Sequence, residues 1–183
     1  MKTASVLAAL AVLAVALVPQ AGARKEAAKH RDPATGIQLA RLLDQIAYHR
    51  DETWKWQRVM LLPRMRYAAS AEKVRSVPYR QWVMHLWSRR SLEAKHRALN
   101  PPHKAQWLCI HRYEGAWTDP NGPYYGGLQM DREFQEAYGA ALVRRKGTAD
   151  NWTPLEQMWV AERAYKTRGF WPWPNTARYC GLI

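Results

Sequence analysis

The chain has 183 residues, a formal net charge of +13, two cysteines and six histidines. This length suits one compact domain with an appendage. Neither the histidines nor the cysteines have the spacing of zinc ligands, which argues against metal catalysis, and we expect no cofactor.

The first 23 residues have the three parts of a signal peptide. Lys2 is positively charged, residues 4–18 are apolar apart from Ser5, and Ala21-Gly22-Ala23 matches a signal-peptidase site. The apolar run is too short for an ordinary membrane span, although an uncleaved anchor is an alternative. We therefore expect a secreted, cell-wall-associated protein with no stable membrane span after cleavage.

Residues 24–104 form a basic region, with eighteen Lys or Arg against seven Asp or Glu, whereas residues 105–183 have nine against eight. Apolar residues at helical spacing predict helices over residues 37–59 and 79–99, which could pair as a hairpin. Pro101-Pro102 marks a boundary, because consecutive prolines stop a helix. A basic exported region suits anionic wall polymers, lipid head groups or nucleic acid, and a solvated helical surface is the simpler alternative.

Residues 105–183 alternate short helices with turns. We predict a helix over residues 105–113 that ends at Gly115, a turn over residues 119–123 and a short β segment over residues 124–130. Asp131 is a suitable cap for a helix over residues 132–138. Thr153-Pro154-Leu155-Glu156 is a capping box that opens a helix to about Arg168. The pattern predicts an α+β, mostly α domain with a small β-hairpin, preceded by the basic helical region.

The two cysteines, Cys109 and Cys180, both remain after removal of the signal peptide. In an exported chain such a pair is more typical of a disulfide than of redox chemistry. The bridge would close a loop of about seventy residues and stabilise the fold by about 4 kcal/mol in the chain-entropy model.

Glu114 is the glutamate in the stretch YEGAWTDPNGPYYGGLQ, residues 113–129. Three- and four-residue spacing places it on the helix face of Trp107, Ile110 and His111. Partial burial and the negative end of the helix dipole both favour the neutral carboxylic acid that a general acid requires. An ordinary helix-end residue is the alternative interpretation.

The rest of this stretch suits a saccharide. Trp117, Tyr124 and Tyr125 offer rings that stack on sugars, Gln129 donates and accepts hydrogen bonds, and Gly126-Gly127 lets a polymer approach the backbone closely. Each residue also has a structural explanation, because aromatic residues of a tryptophan-rich chain are usually core.

Four stretches in this order, YEGAWTDPNGPYYGGLQ, AYG, TPLEQMWVAERAY and GFWPWP, resemble the transglycosylase-like catalytic domain of resuscitation-promoting factors. These are actinobacterial peptidoglycan hydrolases with a lysozyme-like fold, and the resemblance spans residues 105–183. It implies that Glu114 is the catalytic acid and that Tyr124, Tyr125 and Gln129 line the saccharide groove. With Trp117 and Gly127, these are the predicted substrate contacts.

The chain departs from the family pattern in three places. Only Gly115-Ala116 separates Glu114 from Trp117, where family members usually have a longer, glycine-rich link. Both cysteines lie further outward along the chain, by about one helical turn. Phe134-Gln135 stands where many members have a threonine-tryptophan pair.

The resemblance implies cleavage of the β-1,4 bond between N-acetylmuramic acid and N-acetylglucosamine, in cell-wall remodelling or resuscitation, with peptidoglycan strands as the partner. Asp119 is the nearest second carboxylate, but an Asx turn explains it better, and Asp131 is explained as a cap. With one acid, the substrate's N-acetyl carbonyl attacks C1, and Glu114 then acts as base. Activation of the sugar's 6-hydroxyl makes a lytic transglycosylase and activation of water makes a muramidase; we favour the former.

Two other classes of protein fit the composition. A non-catalytic cationic wall-binding or antimicrobial protein would use residues 24–104 to hold anionic wall polymers. An exported nucleic-acid-binding protein would fit the charge and the tryptophans, but no recognised module supports it, so we predict no nucleic-acid partner.

Overall fold

The computed structural model describes residues 33–66, residue 71 and residues 73–183. Its helices are α1 (Pro33–Val59), α2 (Val77–Leu99), α3 (Lys104–Glu114), α4 (Arg132–Lys146), α5 (Pro154–Arg168) and α6 (Pro174–Tyr179), with a 3-10 helix at Ala149–Asn151. Strands β1 (Tyr124–Tyr125) and β2 (Met130–Asp131) pair antiparallel, with Tyr124 opposite Asp131. The fold is therefore α+β and mostly helical, as predicted. The predicted signal peptide, residues 1–23, lies outside the described residues.

Contacts between residues divide the chain after Ile37, and Gln38–Ile183 forms one compact unit. This unit contains the basic helices as well as the predicted catalytic part. Of the preceding unit, only the start of α1 is described. No helix in the described part of the chain is long and apolar enough to cross a membrane.

Side-chain caps begin the helices of the C-terminal part where the sequence predicts them. Asp131 accepts a hydrogen bond from the Phe134 backbone N–H at 2.7 Å at the start of α4. Thr153 and Glu156 form the predicted capping box of α5, in which each side chain accepts a hydrogen bond from the backbone N–H of the other residue. Gly115 and Gly169 follow the last residues of α3 and α5. These local signals therefore predict the helix boundaries well.

Two elements differ from the sequence-based prediction. Helix α4 runs to Lys146 instead of ending near Tyr138, with a kink at Gly139, whose φ and ψ are −125° and 18°. A Cβ at Gly139 would lie 2.8 Å from the ring of Trp152, so the glycine makes room for a packed tryptophan. Helix α6 was not predicted, and it contributes a residue to the candidate site.

The main core lies in residues 105–183 and joins α3, the β-hairpin, α4 and α5. Trp107 and Ile110 of α3 are fully buried, as are Leu128 and Leu142. Since these residues come from α3, the hairpin turn and α4, the core packs the end of α3 against the hairpin.

The basic helices have smaller cores of their own and are attached to α5. Ile46 of α1 packs with Val83 and Trp87 of α2. Trp159 of α5 packs against Met60, Ala94 and Ala98, and its indole N–H donates to the Ala98 carbonyl at 2.9 Å.

Candidate functional site

Glu114 is the last residue of α3, and its carboxyl group is half-buried. The hydroxyl of Thr176, on α6, donates a hydrogen bond to Oε1 of Glu114 at 2.7 Å. Oε2 makes no hydrogen bond to any protein atom in the described part of the chain. One oxygen is therefore oriented by the protein, and the other has no partner among the described residues.

The hydroxyl of Thr176 has one proton and two nearby acceptors. It lies 2.7 Å from Glu114 Oε1 and 3.5 Å from the carbonyl oxygen of Trp173. If Glu114 carries a proton, its own O–H can donate to the Thr176 oxygen while Thr176 turns to Trp173. The pair can therefore hold the carboxyl group in place in both of its protonation states.

A disulfide joins α3 to the end of α6. Cys109 and Cys180 are bonded, as predicted, with Cα atoms 6.0 Å apart. Because Cys109 precedes Glu114 by five residues and Cys180 follows Thr176 by four, the bridge and the hydrogen bond connect the same two helices. We call Glu114, Thr176 and this disulfide the acid corner.

Asp119 organises the loop that follows the acid corner. Its Oδ1 accepts from the Asn121 backbone N–H at 3.1 Å, which is the predicted Asx turn, and its Oδ2 accepts from Gln129 Nε2 at 2.9 Å. The hydrogen bond from the Asn121 backbone, followed by that from Gln129, lowers the pKa of Asp119 below its ordinary value. Asp119 is therefore an ionised structural group rather than a free second catalytic carboxylate.

Gln129 has both of its amide hydrogens in use. Nε2 donates to Asp119 Oδ2 at 2.9 Å and to the Gly126 carbonyl at 3.0 Å. A Cβ placed on Gly115 would lie 3.5 Å from the same nitrogen, so Gln129 is next to the residue that follows Glu114. Toward a ligand, Gln129 can offer only its amide oxygen, as an acceptor.

His111 and Trp117 form a stack beside this loop. Their ring centroids are 3.9 Å apart with an angle of 22° between the planes. His111 Nδ1 lies 3.0 Å from the Gly127 carbonyl oxygen, and since a carbonyl only accepts, Nδ1 carries a hydrogen. One face of the half-buried Trp117 ring is therefore covered by His111, and Trp117 also packs against the main core.

The two glycines of the hairpin turn are needed for internal packing. A Cβ on Gly127 would lie 2.6 Å from His111 Nδ1, and a Cβ on Gly126 would lie 2.6 Å from Gln157 Oε1. Gly127 is buried, and its N–H donates to Gln157 Oε1 at 2.9 Å. The sequence predicts that these glycines let a polymer approach the backbone, and the structure adds that His111, Trp117 and Gln157 lie against them.

A small cavity of about 80 Å³ lies between the hairpin and the Trp-Pro segment, residues 171–174. It is lined by Tyr124, Gln129, Met130, Asp131, Phe134, Arg168, Pro172 and Trp173. The predicted contacts Tyr124 and Gln129 meet here. Two neighbours of Glu114 approach residues that line the cavity: Gly115 lies close to Gln129, and Thr176 lies close to the Trp173 carbonyl.

The predicted contacts therefore fall into three places. Tyr124 and Gln129 line the small cavity, and Trp117 and Gly127 belong to the His111 stack. Tyr125 is partly buried and packs against the main core. At about 80 Å³ the cavity is much smaller than the roughly 300 Å³ of a small-ligand pocket, so it is too small to enclose a whole sugar ring.

Sequence reasoning missed Thr176 and Gln157, which hold the site together. Gln157 is fully buried, and its Nε2 lies 2.8 Å from the Trp117 carbonyl and 2.9 Å from the Ala149 carbonyl. The only sequence signal for Gln157 is its place in the stretch TPLEQMWVAERAY. The only one for Thr176 is that it follows the stretch GFWPWP by two residues.

Larger cavities lie away from the acid corner, on the side of the basic helices. One of about 490 Å³ is bordered by Trp159 and Glu162, and one of about 630 Å³ by Trp54 and several arginines. Across the residues that the structure describes, no group of three or more His, Cys, Asp or Glu side chains is placed to hold a metal ion.

Comparison of the chain with models of known protein families, with curated proteins and with solved structures gave no match. The site must therefore be interpreted from its own geometry and from the motifs in its sequence.

Proposed function

We propose that the protein cleaves the β-1,4 bond between N-acetylmuramic acid and N-acetylglucosamine in peptidoglycan, with Glu114 as general acid and base. The observation that carries the proposal is the half-buried Glu114, whose carboxyl group is oriented through one oxygen by Thr176 and is unbonded at the other within the described residues. The resemblance of its sequence motifs to a lysozyme-like transglycosylase domain supports the same role.

In the first step, the carboxylic acid of Glu114 gives its proton to the bridging oxygen, and the bond from that oxygen to C1 breaks. The described carboxylates nearest in sequence have other tasks, since Asp119 holds the loop and Asp131 caps α4. The substrate's own N-acetyl carbonyl oxygen therefore forms the bond to C1. Thr176 keeps the Glu114 oxygen in place while the proton leaves.

In the second step, the Glu114 carboxylate takes a proton from the group that attacks C1, and the N-acetyl group leaves C1. Attack by the 6-hydroxyl of the same sugar gives an anhydro end, as in a lytic transglycosylase. Attack by water gives a reducing end, as in a muramidase. We favour the first, on the resemblance of the motifs.

The small cavity suits the acetamido substituent of a sugar next to the one whose own N-acetyl group attacks C1. Gln129 offers an amide oxygen that can accept from the substituent's N–H, and Arg168 offers donors for its carbonyl oxygen. Tyr124, which is half exposed, offers a ring on which the sugar can stack. The rest of the glycan strand then lies outside the cavity and extends toward the acid corner.

Digestion of purified peptidoglycan tests the proposal. Wild type and Glu114→Gln are compared, with Glu93→Gln, an exposed residue of α2, as the matched control. We expect wild type and Glu93→Gln to release soluble muropeptides and Glu114→Gln to be at least about 100-fold slower. Anhydro ends in the mass spectra would identify a transglycosylase. Binding to the wall without cleavage by any of the three proteins would refute the enzyme and favour the cationic wall-binding alternative.

A further inference from the structure

A second site lies between α1, α4 and α5, in the cavity of about 630 Å³. It is lined by Trp54 and by Arg58, Arg64, Arg144, Arg145 and Arg163, together with apolar residues. We name it the arginine cleft. We propose that it binds a linear polymer of phosphate groups that carries no aromatic bases. The proposal is independent of the activity at Glu114.

The charge of the cleft has a single sign. Among the described residues that line it there is no Asp, Glu or Lys, and all five guanidinium groups are exposed. Within the described chain none of the five forms an ion pair. Arg144, Arg145 and Arg163 come from the part of the chain whose overall charge is nearly neutral, so the cleft is more than a consequence of the basic region.

Arginine rather than lysine points to phosphate. The planar guanidinium group presents paired N–H donors that match two oxygens of one phosphate, whereas a lysine ammonium acts as a single point charge. Five such groups along one open cleft can engage successive phosphates of an extended polymer. A single small anion would leave most of them unused.

Trp54 explains why a nucleic acid is the weaker choice. Proteins that bind single strands without reading sequence stack bases on free aromatic rings. Here the Trp54 ring already has the guanidinium groups of Arg50 and Arg64 at 5.0 and 5.2 Å from its centroid, and its N–H donates to the Met65 carbonyl at 3.1 Å. Trp54 therefore positions Arg64 and the segment that carries it, and the ligand is recognised by its charge.

Five like charges in one cleft also repel each other in the absence of a ligand. Removing some of them should therefore leave the melting temperature unchanged or raise it, while binding falls. A variant that binds less because it is misfolded would instead melt earlier. This difference gives a second measurement that separates loss of a site from loss of the fold.

Fluorescence anisotropy with labelled short-chain inorganic polyphosphate tests the proposal. The cleft variant is Arg144→Gln/Arg145→Gln/Arg163→Gln. The control, Arg41→Gln/Arg89→Gln/Arg178→Gln, removes the same charge from exposed arginines outside the cleft. We expect the cleft variant to weaken binding at least about tenfold and to flatten its salt dependence, because fewer phosphates are neutralised. The control should change affinity by about twofold or less through its reduced net charge.

Equal losses in the two variants would overturn the proposal, because binding would then follow net charge alone. It would also fail if the cleft variant melted clearly below the control. An oligonucleotide of the same charge, or vesicles of anionic lipid, tested at the same salt concentration, must not bind more tightly than polyphosphate. If either does so and loses affinity in the cleft variant, the cleft is a nucleic-acid or membrane site instead.

Discussion

Around the acid corner, most polar groups have partners within the chain, whereas the arginine cleft presents five guanidinium groups that form no ion pair within the described residues. Asp119 has both carboxylate oxygens bonded and Gln129 has both amide hydrogens bonded, whereas one oxygen of Glu114 has no partner in the described part of the chain. The first region is held together by hydrogen bonds and a disulfide, and the second presents several exposed positive charges.

In the acid corner stability and function should change together, whereas in the arginine cleft they should change independently or in opposite directions. In the acid corner, the contacts that stabilise the fold also position the Glu114 carboxyl group. A substitution that loosens the corner should therefore reduce stability and, under the proposed function, activity. In the arginine cleft, the charges that would bind a ligand repel each other, so a substitution that removes them should reduce binding and spare stability. The predictions below test this contrast, beginning with the largest effect.

Loss of the disulfide should affect the acid corner most strongly. Cys109→Ser/Cys180→Ser opens a loop whose ends are 71 residues apart. The chain-entropy model gives a loss of about 4 kcal/mol in the free energy of unfolding. Urea titration measures this loss, and reduced wild type should match the variant. Polyphosphate affinity at a temperature where the variant is folded should be unchanged. A coincident loss of affinity would show that the two regions are not independent.

Gly127→Ala should cause the next largest loss of stability. The added Cβ would lie 2.6 Å from His111 Nδ1 and 2.7 Å from Trp117 Cε3, so the stacked pair must move. Overpacking of this kind costs about 1–3 kcal/mol. Thermal unfolding measures the loss, and cleavage of peptidoglycan should fall with it.

Gly36→Ala is the control for this substitution. Gly36 lies in α1 with open space where a Cβ would be, and alanine is the better helix former by up to about 1 kcal/mol. We expect its melting temperature to equal or exceed that of wild type. If Gly127→Ala were as stable as Gly36→Ala, the hairpin glycines would not be needed for packing, and the predicted close approach of a polymer would gain support.

Thr176→Val should have a smaller effect on stability and a clear effect on catalysis. It removes the hydroxyl that donates to Glu114 at 2.7 Å and keeps a similar shape. One lost hydrogen bond costs about 1 kcal/mol. Under the proposed function, we expect kcat on a soluble glycan to fall about tenfold, with KM nearly unchanged, because Thr176 positions the acid and does not bind the substrate.

Thr176→Ser separates this role from simple packing. It keeps the hydroxyl and removes only a methyl group, so kcat should return close to the wild-type value. A Thr176→Val enzyme with wild-type kcat, or a Thr176→Ser enzyme impaired to the same degree, would contradict the positioning role.

Local signals made much of the fold predictable. Asp131, the Thr153–Glu156 box and Gly115 act within one helical turn, so their chemistry can be read along the chain. The pairing of Cys109 with Cys180 was also predictable, because the chain has no other cysteine. Gly139 was harder to interpret. A glycine at this position suggests the end of a helix. In the structure the helix continues through Gly139, and the glycine is explained by the ring of Trp152, thirteen residues away, which packs against it.

Contacts between distant residues were not predictable. Thr176 meets Glu114 across 62 residues, and Gln157 reaches Trp117 across 40. The arginine cleft combines residues from α1, from the segment after it, and from α4 and α5, and no spacing along the chain connects them. Sequence periodicity reports one element at a time, whereas these sites depend on how several elements pack.

The smallest expected effect is a pH dependence of the cap of α5, the helix whose Gln157 bonds to Gly127 and Trp117. Burial, the largest single influence, raises the pKa of Glu156, but the hydrogen bonds from Lys146 and Thr153 and the charge of Lys146 outweigh it, and the pKa lies below its ordinary value of 4.5. A lowered folded-state pKa means that the contribution to stability is complete above pH 4.5 and is lost as the pH falls through the lowered value.

Glu156→Gln should therefore lower the melting temperature at pH 7 and reduce the further loss between pH 7 and pH 3. The exposed control Glu93→Gln should follow wild type at both pH values. Because arginine stays charged throughout this range, the arginine cleft contributes no matching change. If Glu156→Gln lost as much stability on acidification as wild type, the acid sensitivity would come from other carboxylates. Asp119, whose pKa is also lowered, would then be the next residue to substitute.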